Sequence, residues 1–187
     1  MVSDEYYANW IQEDILDYPS NGSFSVVGPR YSACISVLCS SLIINVILRS
    51  STRMNSIYHR IIMGMSVNDI LGSAAIALTT LPFPKDDKWV NMYNYDGTRL
   101  GTYATCDAQG FFQFFGLLGA YLYNMMLCVY YALSLALSIK DETITRFGEV
   151  WIHLIPASIS ISIATKILVM KGYNPAPRRT SWCTMSK

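Results

Sequence analysis

The sequence predicts an all-α membrane protein built as a bundle of four membrane-spanning helices. Of its 187 residues, 52% are hydrophobic and 14% are charged, whereas a soluble domain carries about a quarter charged residues. The apolar residues form four long blocks, at residues 31–48, 61–81, 108–139 and 150–170. A spanning helix needs roughly 20 such residues. Transmembrane β-strands are excluded because they are short and alternate in polarity.

The first 30 residues lack the basic start and apolar core of a signal peptide and are predicted to be a tail, which the charges around the first span make extracellular. Arg30 alone precedes the first span, and three arginines follow it before the second. The positive-inside rule therefore places the N-terminus outside, although Lys85, Arg99 and Lys171 would then lie outside too. Asn21 begins a glycosylation sequon that would be used only on that side. We expect a multi-pass protein of the plasma membrane.

The second span contains a single charged residue, Asp69. A carboxylate in the middle of a span costs roughly 3 kcal/mol on insertion scales, so it should face the interior of the bundle. There it could hold a cation, take up a proton or accept hydrogen bonds. Asn68 adds polar atoms beside it. The residues alone leave a packing role and a functional role equally open.

The third block is longer than the bilayer is thick, so that helix must tilt or project into water. Cys106 precedes this block, and Cys183 lies in residues 171–187, which are predicted to be an extracellular loop or tail. Both cysteines would face the oxidising side. A bridge between them would contribute about 4 kcal/mol by the chain-entropy relation; two free thiols are the other reading.

The fourth block begins with Glu149 and His153, which share a helix face. A surface pair is favoured over a metal site or a proton relay, because no other His or Cys lies at ligand spacing. The sequence carries no enzyme motif, and we expect no catalytic residue, no bound metal and no cofactor. The net charge of +1 argues against nucleic acid as a partner and leaves membrane lipid as the expected one.

Several motifs resemble those of rhodopsin-like, G-protein-coupled seven-helix receptors. Residues 65–72 (MSVNDILG) are similar to the Leu-Ala-x-x-Asp-Leu-Leu signature of the second helix in that family. Cys106 and Cys183 stand where the family places its bridging cysteines. More narrowly, the chain resembles receptor-like proteins of diatoms and related algae between residues 29 and 183, in the segments TCDAQGFF (105–112), YYAL (130–133), EVWIH (149–153) and YNP (173–175).

The resemblance implies signal reception at the membrane for an unknown extracellular ligand, with a Cys106–Cys183 disulfide and Gln113 facing the ligand. It also implies a polar ion or switch site, in which Ser41 stands opposite Asp69 and Asn68. Tyr130 and Tyr131 replace the Asp-Arg-Tyr motif at the inner face, where a heterotrimeric G protein would bind in an intact homologue.

The chain holds only the first half of such a receptor and stops in the loop after the fourth helix, so we expect a truncated form that lacks helices five to seven. The alternative is a four-helix structural or adaptor membrane protein without ligand-driven signalling. A channel or transporter would need more intramembrane charges than Asp69 supplies.

Overall fold

The computed structural model describes residues 22–85, 99–139, 141–175 and 182–185. Within them, four long α-helices carry the fold: α1 (Gly22–Arg49), α2 (Ile57–Ala77), α3 (Tyr103–Tyr131) and α4 (Asp141–Val169). A 3₁₀ turn (Arg53–Asn55) joins α1 to α2, and α3 continues into a π-helical turn (Ala132–Ala136). Two three-residue strands follow α4, namely β1 (Tyr173–Pro175) and β2 (Cys183–Met185).

The helices begin earlier than the apolar blocks that predicted them. Helix α3 starts five residues before Ala108 because Thr102 and Thr105 form a capping box: Thr105 N donates to Thr102 Oγ1 at 3.4 Å, and Thr102 N donates to Thr105 Oγ1 at 2.7 Å. Helix α4 starts nine residues before Val150, with Asp141 and Glu142 in its first turn. Acidic side chains there complement the helix dipole.

Helix α1 also extends into the segment predicted to be a tail and contains Pro29. The rest of that segment, residues 1–21, lies outside the described residues. Helix α2 is displaced toward the N-terminus and ends at Ala77 rather than near Leu81. Thr79 has a positive φ of 47°, a conformation that interrupts a right-handed helix. Its side chain accepts a hydrogen bond from the guanidinium of Arg30.

Helix α2 lies between α1 and α3, and α4 packs mainly against α3 and also contacts α2. The most extensive interface joins α2 to α3. One end of the bundle carries the Cys106–Cys183 disulfide and is called the disulfide end below. The opposite end carries a salt bridge between Arg60 and Glu149 and is called the Arg60 end. A cluster of buried side chains fills the Arg60 end: Ile57, Ile61, Tyr123, Met126, Tyr130, Ile144 and Ile152.

Three helical segments are long and apolar enough to cross a membrane in the part of the chain that the structure describes: Val27–Arg49, Tyr103–Ala136 and Gly148–Val169. Large apolar side chains of α1, α3 and α4 are exposed along their lengths. A soluble monomer rarely exposes so large an apolar surface. The all-α fold is therefore confirmed, and three of its segments have the length and composition of membrane spans, one fewer than the four predicted.

Candidate functional site

The carboxylate of Asp69 on α2 accepts hydrogen bonds from α1. Ser36 Oγ donates a hydrogen bond to Asp69 Oδ2 at 2.8 Å, and Ser40 Oγ donates to the same oxygen at 2.6 Å. Both hydroxyls come from one face of α1, because residues four apart lie one above the other on a helix. Asp69 is partly buried. The arrangement gives the partly buried carboxylate two hydroxyl donors.

The serines that contact Asp69 are Ser36 and Ser40, and not Ser41 as predicted. Ser41 is exposed, and its hydroxyl donates to the carbonyl of Val37 at 2.7 Å within its own helix. The expectation for Ser41 is corrected here by one position. Because a helix turns about 100° per residue, that single step moves a side chain off the interface.

Removing both interhelical hydroxyls should loosen α1. A Ser36→Ala, Ser40→Ala chain is expected to lose about 1–3 kcal/mol of stability, because the Asp69 carboxylate keeps its desolvation cost without its donors. Thermal unfolding in detergent measures the change. Ser41→Ala is the matched control and should stay within about 0.5 kcal/mol of the original chain. Equal losses in the two variants would contradict a role for these hydroxyls.

Asn68, the neighbour of Asp69, faces α3 instead of α1. Its Nδ2 donates to Gly64 O at 2.9 Å. Two glycines of α3, Gly116 and Gly119, lie against it: a Cβ at Gly116 would come within 2.6 Å of Asn68 O, and one at Gly119 within 2.7 Å of Asn68 Cγ. The small residues thus let the two backbones approach closely. Asn68 and Asp69 therefore contact different neighbouring helices.

The elements of the disulfide end are joined through Gln109, which was not among the predicted site residues. Its side chain is buried, and Nε2 donates to Ala75 O and to Thr79 O, both at 2.9 Å. Its Oε1 accepts a hydrogen bond from Cys183 N at 2.9 Å. One amide therefore connects the end of α2, the first turns of α3 and strand β2. The sequence feature that could have indicated this role is the position of Gln109, about one helical turn after Cys106.

Cys106 and Cys183 form a disulfide with a Cα–Cα distance of 5.4 Å across 77 residues. Both cysteines are buried together with Phe83. Strand β2 pairs antiparallel with β1, with Pro175 opposite Cys183. Behind β1, Tyr173 Oη donates to Ala164 O at 3.0 Å. Burial, and secondly the nearby charge of Asp107, raises the pKa of Tyr173 to about 12, so the phenol keeps its proton at neutral pH.

Gln113, the predicted ligand-facing residue, is buried with 9% of its surface exposed. It follows Gln109 by four residues and so lies on the same face of α3. Asn21, the predicted glycosylation site, lies outside the described residues.

The Arg60 end holds the tyrosines and the charged pair. Arg60 Nε lies 2.7 Å from Glu149 Oε1, and Nη2 donates to Glu149 Oε2 at 3.0 Å. His153 Nδ1 lies 3.2 Å from Tyr123 Oη. Glu149 and His153 share a helix face, as expected, yet each contacts a different helix.

The two tyrosines predicted at this inner face differ in their surroundings. Tyr130 is buried, and its hydroxyl donates to Asp141 Oδ1 at 3.2 Å. Tyr131 is 41% exposed, and its ring centroid lies 6.1 Å from that of Tyr58. Of the two, Tyr131 is the more exposed.

Within the described residues, no group of three or more His, Cys, Asp or Glu side chains is placed to hold a metal ion. The Asp69 cluster has a single carboxylate and two hydroxyls. These groups can accept and donate hydrogen bonds between helices, and they hold α1 and α2 in register.

No protein-family model, no characterised protein and no solved structure matches this sequence.

Proposed function

We propose that the chain is a receptor-like, multi-pass membrane protein that receives an extracellular signal at its disulfide end. In this proposal α2 is a fourth span beside the three apolar segments. Its 21 residues would extend about 31 Å at 1.5 Å per residue, close to the thickness of the hydrocarbon core. The position of α2 between α1 and α3 supports this, because its one central charge, Asp69, then meets hydroxyls rather than lipid.

The proposed orientation places the disulfide end outside the plasma membrane and the Arg60 end inside. A disulfide forms in an oxidising compartment, and Cys106–Cys183 therefore favours that end as the outer one. Arg49 and Arg60 lie at the opposite end, in agreement with the positive-inside rule.

The observation that carries the receptor proposal is that α2 links both ends of the bundle through polar contacts. At one end, Ala75 O and Thr79 O accept from Gln109; in the middle, Asp69 binds α1; at the other end, Arg60 binds α4. An extracellular ligand near Gln113 and the bridged hairpin would shift α3 against α2. Such a shift would alter the surface around Tyr130 and Tyr131, where the signalling partner, a heterotrimeric G protein, would bind.

Co-purification with a G-protein α subunit tests this proposal. The chain, solubilised from membranes in mild detergent without added nucleotide, should retain the subunit. Tyr131→Ala should lower the amount retained about fivefold, because truncating an exposed aromatic anchor at an interface commonly costs more than about 1 kcal/mol.

Tyr121→Ala is the matched control, since Tyr121 is on the same helix and 71% exposed, but lies in the middle of the proposed span. This variant should retain the subunit as the original chain does. Failure of the original chain to retain any α subunit would reject the receptor proposal. It would favour the alternative, a structural or adaptor protein that associates through its exposed helix faces.

A further inference from the structure

A groove between α3 and α4 at the disulfide end lies apart from the Asp69 cluster and from Gln113. It has a volume of about 340 Å³ and is lined by Ala104, Asp107, Ala108, Phe111, Phe112 and Leu168. The two alanines are four residues apart on α3 and leave room between the larger side chains. A groove of this size accommodates a small head group.

Asp107 is the one acidic side chain among the residues that line the groove. It is partly buried. Tyr173 lies close enough for Asp107 to affect its pKa, but the Tyr173 hydroxyl donates to Ala164 O instead. A carboxylate in apolar surroundings favours a cationic neighbour. The groove therefore offers a place for a positive charge.

The aromatic rings of the groove suit a particular kind of cation. Phe111 and Phe112 meet edge to face, with centroids 5.5 Å apart and planes at 84°. Phe112 is 47% exposed. The face of an aromatic ring attracts cations, and quaternary ammonium groups are recognised by sets of such rings. A small hydrated metal ion would gain little from these apolar walls.

We propose that this groove binds the trimethylammonium head group of a phosphatidylcholine-type lipid. The inference rests on the membrane placement proposed above, because Asp107 on α3 and Leu168 on α4 are near the ends of apolar segments and so lie at the level of the head groups. Ile161 is seven residues before Leu168, on the same face of α4, and is exposed. An acyl chain would follow this apolar surface toward the middle of the membrane.

Lipid retention measures the proposed specificity. The full chain is purified in detergent, equilibrated with mixed micelles that contain equal amounts of dioleoyl-phosphatidylcholine and dioleoyl-phosphatidylglycerol, and the retained lipids are quantified by mass spectrometry. We expect phosphatidylcholine to be enriched about fivefold, the ratio that a contribution near 1 kcal/mol gives. Asp107→Asn should bring the ratio close to one.

Two further variants separate the groove from general effects. Ala104→Phe should fill the groove and abolish the enrichment while Asp107 is kept. Glu142→Gln removes an exposed carboxylate at the other end of α4 and should keep the enrichment. Mobility on a non-reducing gel reports whether each variant still forms the Cys106–Cys183 bridge.

No enrichment in the original chain, or full enrichment in Asp107→Asn, would overturn the proposal. Binding of soluble tetramethylammonium that depends on Asp107, without lipid enrichment, would also overturn it, because the occupant would then be a free cation. Loss of lipid preference in a chain that still retains the G-protein α subunit would refute this inference and leave the proposed function standing.

Discussion

A chain in which Cys106 and Cys183 are both replaced by alanine is expected to lose about 4 kcal/mol of stability by the chain-entropy relation. The bridge closes a loop across 77 residues, which include most of α3 and all of α4. Without it, the unfolded chain gains many conformations. The hydrogen bond from Cys183 N to Gln109 Oε1 would then have to hold β2 against α3 without the covalent link. Alanine is preferred to serine, because a hydroxyl beside buried Phe83 would add its own penalty.

Thermal unfolding in detergent measures this loss. Cys128→Ala is the control, since Cys128 is a free and exposed thiol on α3. Removing it should change the stability by less than about 0.5 kcal/mol. Reductant should destabilise the original chain to a similar extent as the double replacement and leave the double variant unaffected. Equal stability of the double variant and the original chain would contradict a structural role for the bridge.

The sequence predicted the helices well and their ends poorly. Apolar blocks report where lipid or core surrounds a helix, but a helix continues into water when its ends are capped. The Thr102–Thr105 capping box was visible in the sequence and explains why α3 begins at Tyr103. The positive φ of Thr79 was not visible, because nothing local distinguishes it from a helical threonine.

The side-chain partners were harder to predict, since each depends on how two helices are rotated and shifted against each other. A carboxylate in α2 had to face the interior, but only the packing decides whether Ser40 or Ser41 meets it. The pairing of Arg60 with Glu149, which are 89 positions apart, also depends on how α2 and α4 pack and was not predicted. The disulfide could be predicted because Cys106 and Cys183 are the two cysteines outside the apolar blocks, so neither has another cysteine there to pair with.

Gly116→Ala is expected to destabilise the bundle by about 3 kcal/mol, through the close approach of α2 and α3. A Cβ at Gly116 would lie 2.6 Å from Asn68 O and 2.7 Å from Gly72 Cα. Carbon atoms pack at about 3.5–4.0 Å, so the helices would have to separate. Both obstructing atoms belong to the backbone and cannot move away by a change of rotamer. Overpacking of this kind commonly costs about 1–3 kcal/mol, and more where the surroundings are rigid.

Gly148→Ala is the matched control, because the nearest atom to a Cβ there is Ile144 Cγ2 at 3.6 Å, an ordinary contact. Alanine is the better helix former by about 1 kcal/mol, so this variant should be as stable as the original chain or more so. Thermal unfolding in detergent compares the two glycines directly. The same substitution is made in α3 and in α4. Stability changes of opposite sign would therefore identify the close approach of α2 and α3 as the cause. A stabilising Gly116→Ala would show that the α2 and α3 backbones do not approach so closely at Asn68 and Gly72.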